Sequence, residues 1–420
     1  MDIFTGIAIL LGLAAGFAVV NERLLKLQPG IGLMLLALVM TIGLAFVKLF
    51  GGFDLFGWEH FLVDRFDLGE TLLHGVLCFM LFAGSTGVRI KNLKENRWII
   101  AALAVASTVI ACGLIGVILG YVLELGGIHI GLAYAFVFGA LISPTDPIAA
   151  LAILKRVGLP RGLETIIGGE SLFNDGVGVV LFTICLAMAE GARNLSASWA
   201  AGLFLRECLG GIALGLVVSL VTHVLLLRTG AYVNQLLITL ATVALGYSLA
   251  EAVEVSGPIA MVVAGLVAGN FTLPRMPELE TASLGTFWRG IEGVLDSLLF
   301  VMIGLSVVAV HPVAGTHLAF AGMAAVIVCL VARAISVFLP IVGLRAAGIL
   351  DVKPWGLTRL LTWGGLRGGL ALALALSLPD SPAKATIVNM TYVVVAFSIL
   401  VQGSTIGKLF QVQFLKRLVP

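Results

Sequence analysis

This 420-residue sequence contains few charged residues. Only 11% of its residues are Asp, Glu, Lys or Arg, whereas 60% are hydrophobic and the mean hydropathy is +1.12. A soluble domain carries about 25% charged residues. The low charge therefore excludes an ordinary soluble protein, and the apolar runs are long enough for helices that cross a bilayer, each of which takes roughly 20 residues.

Cysteine is also scarce, and the net charge is close to zero. The five cysteines are dispersed within apolar runs, which argues against a disulfide framework or a metal site. A formal net charge of +2 gives no basis for a nucleic-acid partner. The runs also lack the apolar–polar alternation of a membrane barrel. We therefore predict an all-α polytopic membrane protein that contacts the lipid bilayer.

Charged, Pro and Gly clusters divide the chain into thirteen candidate transmembrane helices. They cover approximately 3–20, 30–49, 68–88, 97–123, 130–154, 163–189, 203–227, 232–252, 257–271, 283–310, 315–343, 356–378 and 386–410. No stretch is left over for a soluble domain, so residues 1–420 are predicted to form one transmembrane transporter domain.

The distribution of basic residues tests this count, because Lys and Arg collect in cytoplasmic loops. With thirteen spans, one side of the membrane holds seventeen of them: Arg23, Lys26, Arg89, Lys91, Lys94, Arg97, Lys155, Arg156, Arg161, Arg228, Arg275, Arg345, Lys353, Arg359, Lys408, Lys416 and Arg417. The other side holds five: Lys48, Arg65, Arg193, Arg206 and Lys384. This asymmetry predicts a protein of the cell (inner) membrane with its N-terminus outside and its C-terminus in the cytoplasm.

Eight charged residues remain inside the apolar runs. Burying a charge in hydrocarbon costs at least about 2.5–3.5 kcal/mol, so such residues face the bundle interior and usually have partners. They are Arg289, Arg333, Arg367, Asp146, Glu170, Asp175, Glu292 and Asp296. Structural ion pairs between helices are the simple explanation, but the sequence around several of them indicates more.

The fifth span is interrupted at 143–147, which reads SPTDP. Pro144 and Pro147 remove backbone donors and break the helix. In lipid, a broken helix persists only where it lines a cavity or a site. Asp146 lies at the break, where the dipole of a half-helix end can help to hold an ion. The alternative is a proline kink capped by Asp146.

The sixth span contains GESLFNDG at 169–176. Ser171 and Asp175 are four residues apart and share one helix face, with Asn174 alongside. Their oxygen atoms, with a second carboxylate nearby, suit a small hard cation, and the His and Cys that transition metals prefer are missing here. Glu170 points elsewhere and needs its own partner.

The twelfth span contains GGLRGG at 364–369, in which four glycines surround Arg367 and weaken the helix. A glycine-rich packing seam is the alternative, but it leaves the arginine unexplained. If spans 1–6 and 8–13 are two inverted six-helix repeats joined by span 7, the breaks in helices 5 and 12 are equivalent. Interrupted segments at matching places in two halves indicate a transporter site.

At these residues the chain resembles the NhaP-type sodium/proton antiporters of the monovalent cation:proton antiporter-1 family, relatives of the animal sodium/hydrogen exchangers. The matching segments are 143–147, 169–176, the Ala-Arg-Ala of 332–334, and 364–369, and the resemblance covers essentially the whole chain. It implies that Asp175 binds the cation, Na⁺, or the proton, with Asp146, Ser171 and Thr145 close by in the same site.

The resemblance also implies supporting roles and an assembly. Asn174 would brace the crossing of the broken helices, Glu170 would pair with Arg333, and Arg367 would stabilise the unwound part of span 12. Family members are homodimers and need no cofactor. The dimerisation side would cover about 1–88 and 232–310, and the moving ion-translocating core about 97–189 and 315–410. A linker helix at about 203–227 would join them.

The chain departs from the family pattern in two places. Many relatives carry a glutamate in the third span near 81–84, where this chain has Ala83, so an acidic ligand is not expected there, although Glu70 and His74 lie earlier on that span. Relatives also tend to have Asn where span 10 has Asp296. We expect Asp296 to pair with Arg289 or another cation; the alternative is altered ion selectivity.

These residues predict a mechanism. Burial and the neighbouring Asp146 both disfavour an empty, charged Asp175, so a cation and a proton should compete for it and be exchanged by alternating access. Asn174 adds no second charge, which predicts electroneutral exchange of Na⁺ (or Li⁺) for H⁺ by a secondary active transporter that is not an enzyme.

Potassium/proton exchange at the same site is an alternative. An intramembrane aspartyl protease, whose two aspartates would share a proton, is a remote one.

Overall fold

The computed structural model describes residues 3–51, 75–146, 148–156, 158–191, 196–305, 316–350 and 353–410. Over these residues the regular structure is helical, apart from one isolated β-bridge. The helices are α1 Ile3–Val20, α2 Pro29–Gly51, α3 Gly75–Thr86, α4 Ile90–Glu95, α5 Arg97–Leu125, α6 Leu132–Ile142, α7 Ile148–Arg156, α8 Arg161–Ala189, α9 Ala197–Leu226, α10 Tyr232–Ala252, α11 Gly257–Arg275, α12 Glu278–Leu305, α13 Thr316–Ala346, α14 Pro354–Gly364, α15 Gly369–Leu376 and α16 Lys384–Leu409.

Eight of the described helices are long and apolar enough to cross a bilayer: α1 with the π-helical turn that follows it, α5, α8, α9, α10, α11, α13 and α16. Helices α3 and α6 and most of α2 are apolar but shorter. The prediction of an all-helical membrane protein is therefore confirmed over this part of the chain. The count of thirteen spans and the inverted repeats stay predictions, because parts of the predicted third, tenth and eleventh spans lie outside the described residues.

Helix ends follow the local chemistry of the sequence. Helix α9 begins after Ser196, whose hydroxyl accepts a hydrogen bond from the Trp199 backbone N–H at 3.1 Å. Ser256 caps α11 in the same way, with Ile259 N–H donating at 3.4 Å. Both interruptions predicted from the sequence are present, since α6 ends before Pro144 and α14 ends within the glycine cluster. Pro147 itself lies outside the described residues.

The broken helices are held in place by the packing of their neighbours. Helix α5 packs against α6 and α13, and α13 packs against α16. On another side of the bundle, α12 packs against α2 and α3, and α11 packs against α3 and α9. Helix α8 contacts α6, α11 and α5. Its position between the broken helices and α11 brings its polar side chains to the interruptions.

Helix α8 approaches the first interruption through a glycine. A Cβ atom added to Gly178 would overlap the ring of Pro144. Only glycine allows this approach, and the proline ring cannot turn away because it is closed on its own backbone. The packing of α8 on the break is therefore fixed at this contact.

Gly178→Ala should destabilise the protein, because overpacking a tight contact typically costs about 1–3 kcal/mol. Gly162→Ala is the matched control: Gly162 lies on the same helix, and an added Cβ there would meet nothing within 4 Å. We expect the midpoint of thermal unfolding in detergent to fall for Gly178→Ala and to stay or rise slightly for Gly162→Ala. Equal midpoints for the two variants would contradict the contact.

Candidate functional site

Two extended segments cross where the helices are interrupted. The backbone N–H of Asp146 donates to the carbonyl of Leu366 at 2.8 Å, which forms an antiparallel bridge between them. Within a bilayer, backbone polar groups without a partner cost several kcal/mol each. Each interruption leaves backbone groups without a partner in its own helix. The hydrogen bond between Asp146 and Leu366 gives one group of each interruption a partner in the other.

Arg367 satisfies carbonyls that the first break leaves free. In a continuous helix the Ser143 carbonyl would accept from the backbone of residue 147, which is a proline and has no N–H. The Arg367 guanidinium donates through Nη1 to the carbonyls of Ser143 and of Pro144, the latter at 2.8 Å. Arg367 was expected to stabilise the unwound part of its own span. Its side chain binds the break of the fifth span, where acceptors lack donors, and its role in its own span stays a prediction.

Asn174 and Thr145 join helix α8 to the crossing. The Asn174 side-chain amide donates to Thr145 Oγ1 at 2.9 Å, and the Thr145 backbone N–H points back to Asn174 Oδ1 at 3.5 Å. Thr145 Oγ1 also lies 3.3 Å from Ser171 Oγ. These bonds join Asn174 to the crossing, where the prediction assigned it a bracing role. The Asn174 amide both donates and accepts a hydrogen bond here, whereas an ionised carboxylate only accepts.

Glu170 and Arg333 form the buried ion pair that was predicted for them. Arg333 Nη2 donates to Glu170 Oε1 at 2.7 Å, and their side chains are only 2% and 1% exposed. Asn174 Nδ2 donates to the same Glu170 oxygen at 3.3 Å. The pair therefore neutralises both charges and extends the hydrogen bonds of the crossing from α8 to α13.

Asp146, Ser171 and Asp175 line one cavity of about 990 Å³. Both aspartates are half-buried, whereas Thr145 is buried behind the cavity wall. The cavity extends from the crossing to charged residues of the loops and helix ends, among them Arg89, Lys155 and Glu164. Of the four predicted ligands, the structure thus places three on the cavity surface and Thr145 within hydrogen-bonding reach of Ser171.

The half-helix ends add their dipoles to this arrangement. Asp146 lies two residues before α7 and faces the start of α15, so close that a Cβ added to Gly368 would be 2.6 Å from Asp146 Oδ2. Arg367 lies between the ends of α6 and α14. A carboxylate near helix N-termini and a cation near C-termini are both favourable. The glycine at 368 is what permits the approach of the carboxylate.

Sequence reasoning missed several residues of the site. Ser398 Oγ accepts from the Arg367 backbone N–H at 2.8 Å, and Gln402 Nε2 donates to the Trp363 carbonyl at 3.3 Å. Two polar residues four apart in an apolar run were the signal for this pair, since they share a helix face. Glu292 was noted only as an intramembrane acid, yet it lines the cavity.

The structure shows the surroundings of Asp296 and Ala83, the two departures from the family pattern. Arg289 donates to Thr286 Oγ1 at 3.1 Å, and no ion pair with Asp296 occurs over the described residues, so the pairing expected between Arg289 and Asp296 is not formed. One oxygen of Asp296, Oδ1, is buried without a hydrogen-bond partner in this part of the chain. Ala83 is buried and offers no ligand. Glu70 and His74 lie outside the described residues.

Two interrupted helices that cross inside an all-helical membrane bundle, with carboxylates on a cavity at the crossing, define a secondary active transporter. The chain belongs to the sodium/hydrogen exchanger family: the family model for the transmembrane sodium/hydrogen exchanger matches residues 4–412. It is therefore a transporter and not an enzyme, which confirms the resemblance and sets aside the aspartyl protease alternative.

Two curated relatives and one solved structure show how far the likeness extends. The chain is 40% identical over 405 residues to the Na⁺/H⁺ antiporter NhaP of Pseudomonas aeruginosa, which covers 96% of this chain and 95% of that protein. It is 31% identical over 417 residues to the Na⁺/H⁺ antiporter NhaH of Halobacillus dabanensis, with 98% of each chain covered. The fold is similar to that of the sodium proton antiporter MjNhaP1 from Methanocaldococcus jannaschii at pH 8, with a TM-score of 0.76, 21% identity and complete coverage of both chains.

Arg333→Met should lower the free energy of unfolding by about 3–5 kcal/mol, because it leaves the Glu170 carboxylate buried without its counter-charge. The double variant Glu170→Gln/Arg333→Met should recover most of this loss, since a glutamine side chain carries no charge and its amide oxygen can still accept the Asn174 hydrogen bond. Unfolding by SDS in mixed micelles measures both.

Lys155→Met is the control for this pair. Lys155 Nζ lies 2.7 Å from Glu164 Oε1, the same separation as in the buried pair, but the two side chains are 52% and 38% exposed. An exposed pair of this kind contributes at most about 1 kcal/mol. A loss for Arg333→Met no larger than that of Lys155→Met would show that the buried pair does not stabilise the crossing.

Proposed function

We propose that this protein exchanges Na⁺ (or Li⁺) for H⁺, with the cation and the proton competing for Asp175. One observation carries the proposal: Asp146 and Asp175 face the same open cavity at the helix crossing, beside the Ser171 hydroxyl. The buried basic groups of the crossing bind elsewhere, Arg333 to Glu170 and Arg367 to backbone carbonyls. A cation that enters the cavity therefore meets the Asp175 carboxylate, with Thr145 Oγ1 close behind Ser171.

The exchange is coupled because it is costly to enclose the Asp175 carboxylate in the membrane interior when it holds neither a proton nor a cation. A carboxylate without a proton or cation carries a charge that costs at least about 2.5–3.5 kcal/mol to place in the membrane interior. Asp175 with a bound proton, or with a bound Na⁺, presents no such net charge. Only these two loaded forms switch between the two sides of the membrane in the proposed cycle, so each cation transported one way returns a proton the other way.

The proposed stoichiometry is one cation for one proton. Asn174, next to Asp175, is uncharged, and its amide binds Thr145 and Glu170. Asp146 is held at the crossing through its backbone N–H and lies beside Gly368. We assign it the role of a neighbour that supplies an oxygen and a negative field, while Asp175 on the continuous helix α8 changes its occupant.

Sodium is proposed as the main substrate rather than potassium. Carboxylate and hydroxyl oxygens bind either ion, so the ligand chemistry alone leaves the choice open. The relatives in Pseudomonas aeruginosa and Halobacillus dabanensis, at 40% and 31% identity, are both Na⁺/H⁺ antiporters by name. Potassium/proton exchange at the same site is the alternative.

We further propose an orientation and an assembly. The cavity reaches Arg89, Lys155 and Arg161, which belong to the basic side predicted to be cytoplasmic. The site would then be open to the cytoplasm in a protein of the cell (inner) membrane with an external N-terminus.

The proposed assembly is a homodimer formed through about 1–88 and 232–310. The core of about 97–189 and 315–410 moves against it, and the linker lies at about 203–227.

Asp175→Asn should abolish exchange, because the amide neither binds a proton in this pH range nor neutralises a cation. The measurement is Na⁺-dependent proton flux in proteoliposomes across a range of pH. Asp380→Asn is the control, since Asp380 is exposed, pairs with Lys384 at 3.2 Å and lies outside the cavity lining. Sodium-dependent proton flux that persists in Asp175→Asn would remove Asp175 from its proposed role.

Exchange by the wild-type protein should be electroneutral. A sodium gradient imposed on proteoliposomes should drive proton movement without generating a membrane potential, as reported by a potential-sensitive dye. Clamping the potential with valinomycin and K⁺ should leave the initial rate unchanged within about twofold. A potential that builds up with the sign of net charge transfer would disprove the one-for-one stoichiometry while leaving exchange itself intact.

A further inference from the structure

One carboxylate on the cavity wall has no assigned role. Glu292 lies on α12 and lines the same cavity as Asp146 and Asp175. It is half-buried, and its Oε1 faces α3, where a Cβ added to Gly84 would be 3.6 Å away. The carboxylate therefore lies on the part of the cavity wall that α3 and α12 form, whereas Asp175 lies on α8.

The ion pairs of the described residues do not include Glu292. On its own helix, Arg289 donates to Thr286 Oγ1 instead. Lys155, which also lines the cavity, pairs with Glu164. The remaining basic residues of the lining, Arg89 and Arg161, belong to the charged outer part of the cavity. Glu292 thus presents a carboxylate to the cavity that takes part in none of the ion pairs of the described residues.

The helix itself fixes how far Glu292 lies from the crossing. Leu299 also lines the cavity and packs against Gly369, the first residue of α15. Glu292 precedes Leu299 by seven positions, which is two helical turns or about 10 Å along the axis. The backbone of Glu292 therefore lies about two turns along the wall from the level of the crossing, while its side chain belongs to the same cavity.

We propose that Glu292 is an outer cation-attracting residue of this transporter, which raises the occupancy of the inner site by Na⁺ without forming part of its ligand shell. The inference rests on the proposed function and adds a determinant of apparent cation affinity to it. A unit charge about 10 Å away, at an effective dielectric constant between 20 and 80, changes the binding of a monovalent cation by about two- to fifteenfold.

Glu292→Gln tests the role, because it keeps the shape of the side chain and removes only the charge. In proteoliposomes, KM for Na⁺ should rise about two- to fifteenfold, while the maximal rate stays within about twofold of wild type. Raising the ionic strength with choline chloride should increase KM of the wild type more than that of the variant, since salt screens a distant charge but not a direct ligand.

Glu95→Gln is the matched control. Glu95 also lines the cavity, but it lies on α4 and is exposed, so solvent screens its charge. The same change in charge should shift KM less there. A second variant tests position directly: in Glu292→Gln/Gly84→Asp, a carboxylate extends from α3, the neighbouring helix of the same wall, toward the position of the Glu292 carboxylate, and KM should return toward the wild-type value.

Two results would overturn the inference. An unchanged KM in Glu292→Gln would show that the charge does not act on the cation, and a loss of maximal rate with unchanged KM would assign Glu292 a structural role. Neither result would affect the proposed exchange, which fails only if the wild-type protein carries no cation-dependent proton flux.

Discussion

The site depends on one constraint, which is that a backbone interrupted inside a bilayer must find partners for its freed polar groups. Pro144 and Pro147 remove donors from the fifth span, and the acceptors left behind bind the guanidinium of Arg367. The Asp146 N–H in turn pairs with the Leu366 carbonyl of the other break. Since no water is available in hydrocarbon to replace these bonds, each broken helix requires the other. The crossing is therefore the element around which the neighbouring helices are arranged.

The need to give buried polar groups a partner also determines how the charged side chains at the crossing are bound. The two buried arginines have defined tasks: Arg367 replaces missing backbone donors, and Arg333 neutralises Glu170. Because these positive charges are bound there, they do not neutralise Asp175 on the cavity wall. Glu170 and Asp175 are five residues apart, which places them about 140° apart around α8. One helix thus carries a structural acid on the face toward α13 and a second acid on the face toward the cavity.

The features of the site that depend on neighbouring residues of the chain could be predicted from the sequence. Proline and glycine act on their own backbone, so the breaks at 143–147 and 364–369 were readable from the sequence. The partner of Arg367 was not, because the acceptors lie 223 and 224 residues away and nothing local says which carbonyls lack donors. The expected pairing of Asp296 with Arg289 failed for a related reason. Seven residues on a helix bring two side chains to nearly the same face but two turns apart, and Arg289 found Thr286 within one turn.

The arrangement of these bonds limits where movement can occur in the proposed cycle. Hydrogen bonds and the ion pair join α8, both breaks, α13 and α16 into one connected unit through Asn174, Glu170–Arg333 and Ser398. Moving any one of these elements separately would leave buried polar groups unpaired, at about 1–3 kcal/mol for each neutral group and more for a charged one. The wall of α3 and α12 meets this unit through different contacts, such as the apolar packing of Leu299 on Gly369, and Glu292 and Asp175 line the same cavity. Apolar surfaces exchange partners at lower cost than hydrogen-bonded ones. In the proposed cycle, alternating exposure of Asp175 therefore requires the least loss of bonding if the crossing moves as a whole along this wall. Glu292 would then lie on the stationary side of the path and Asp175 on the moving side.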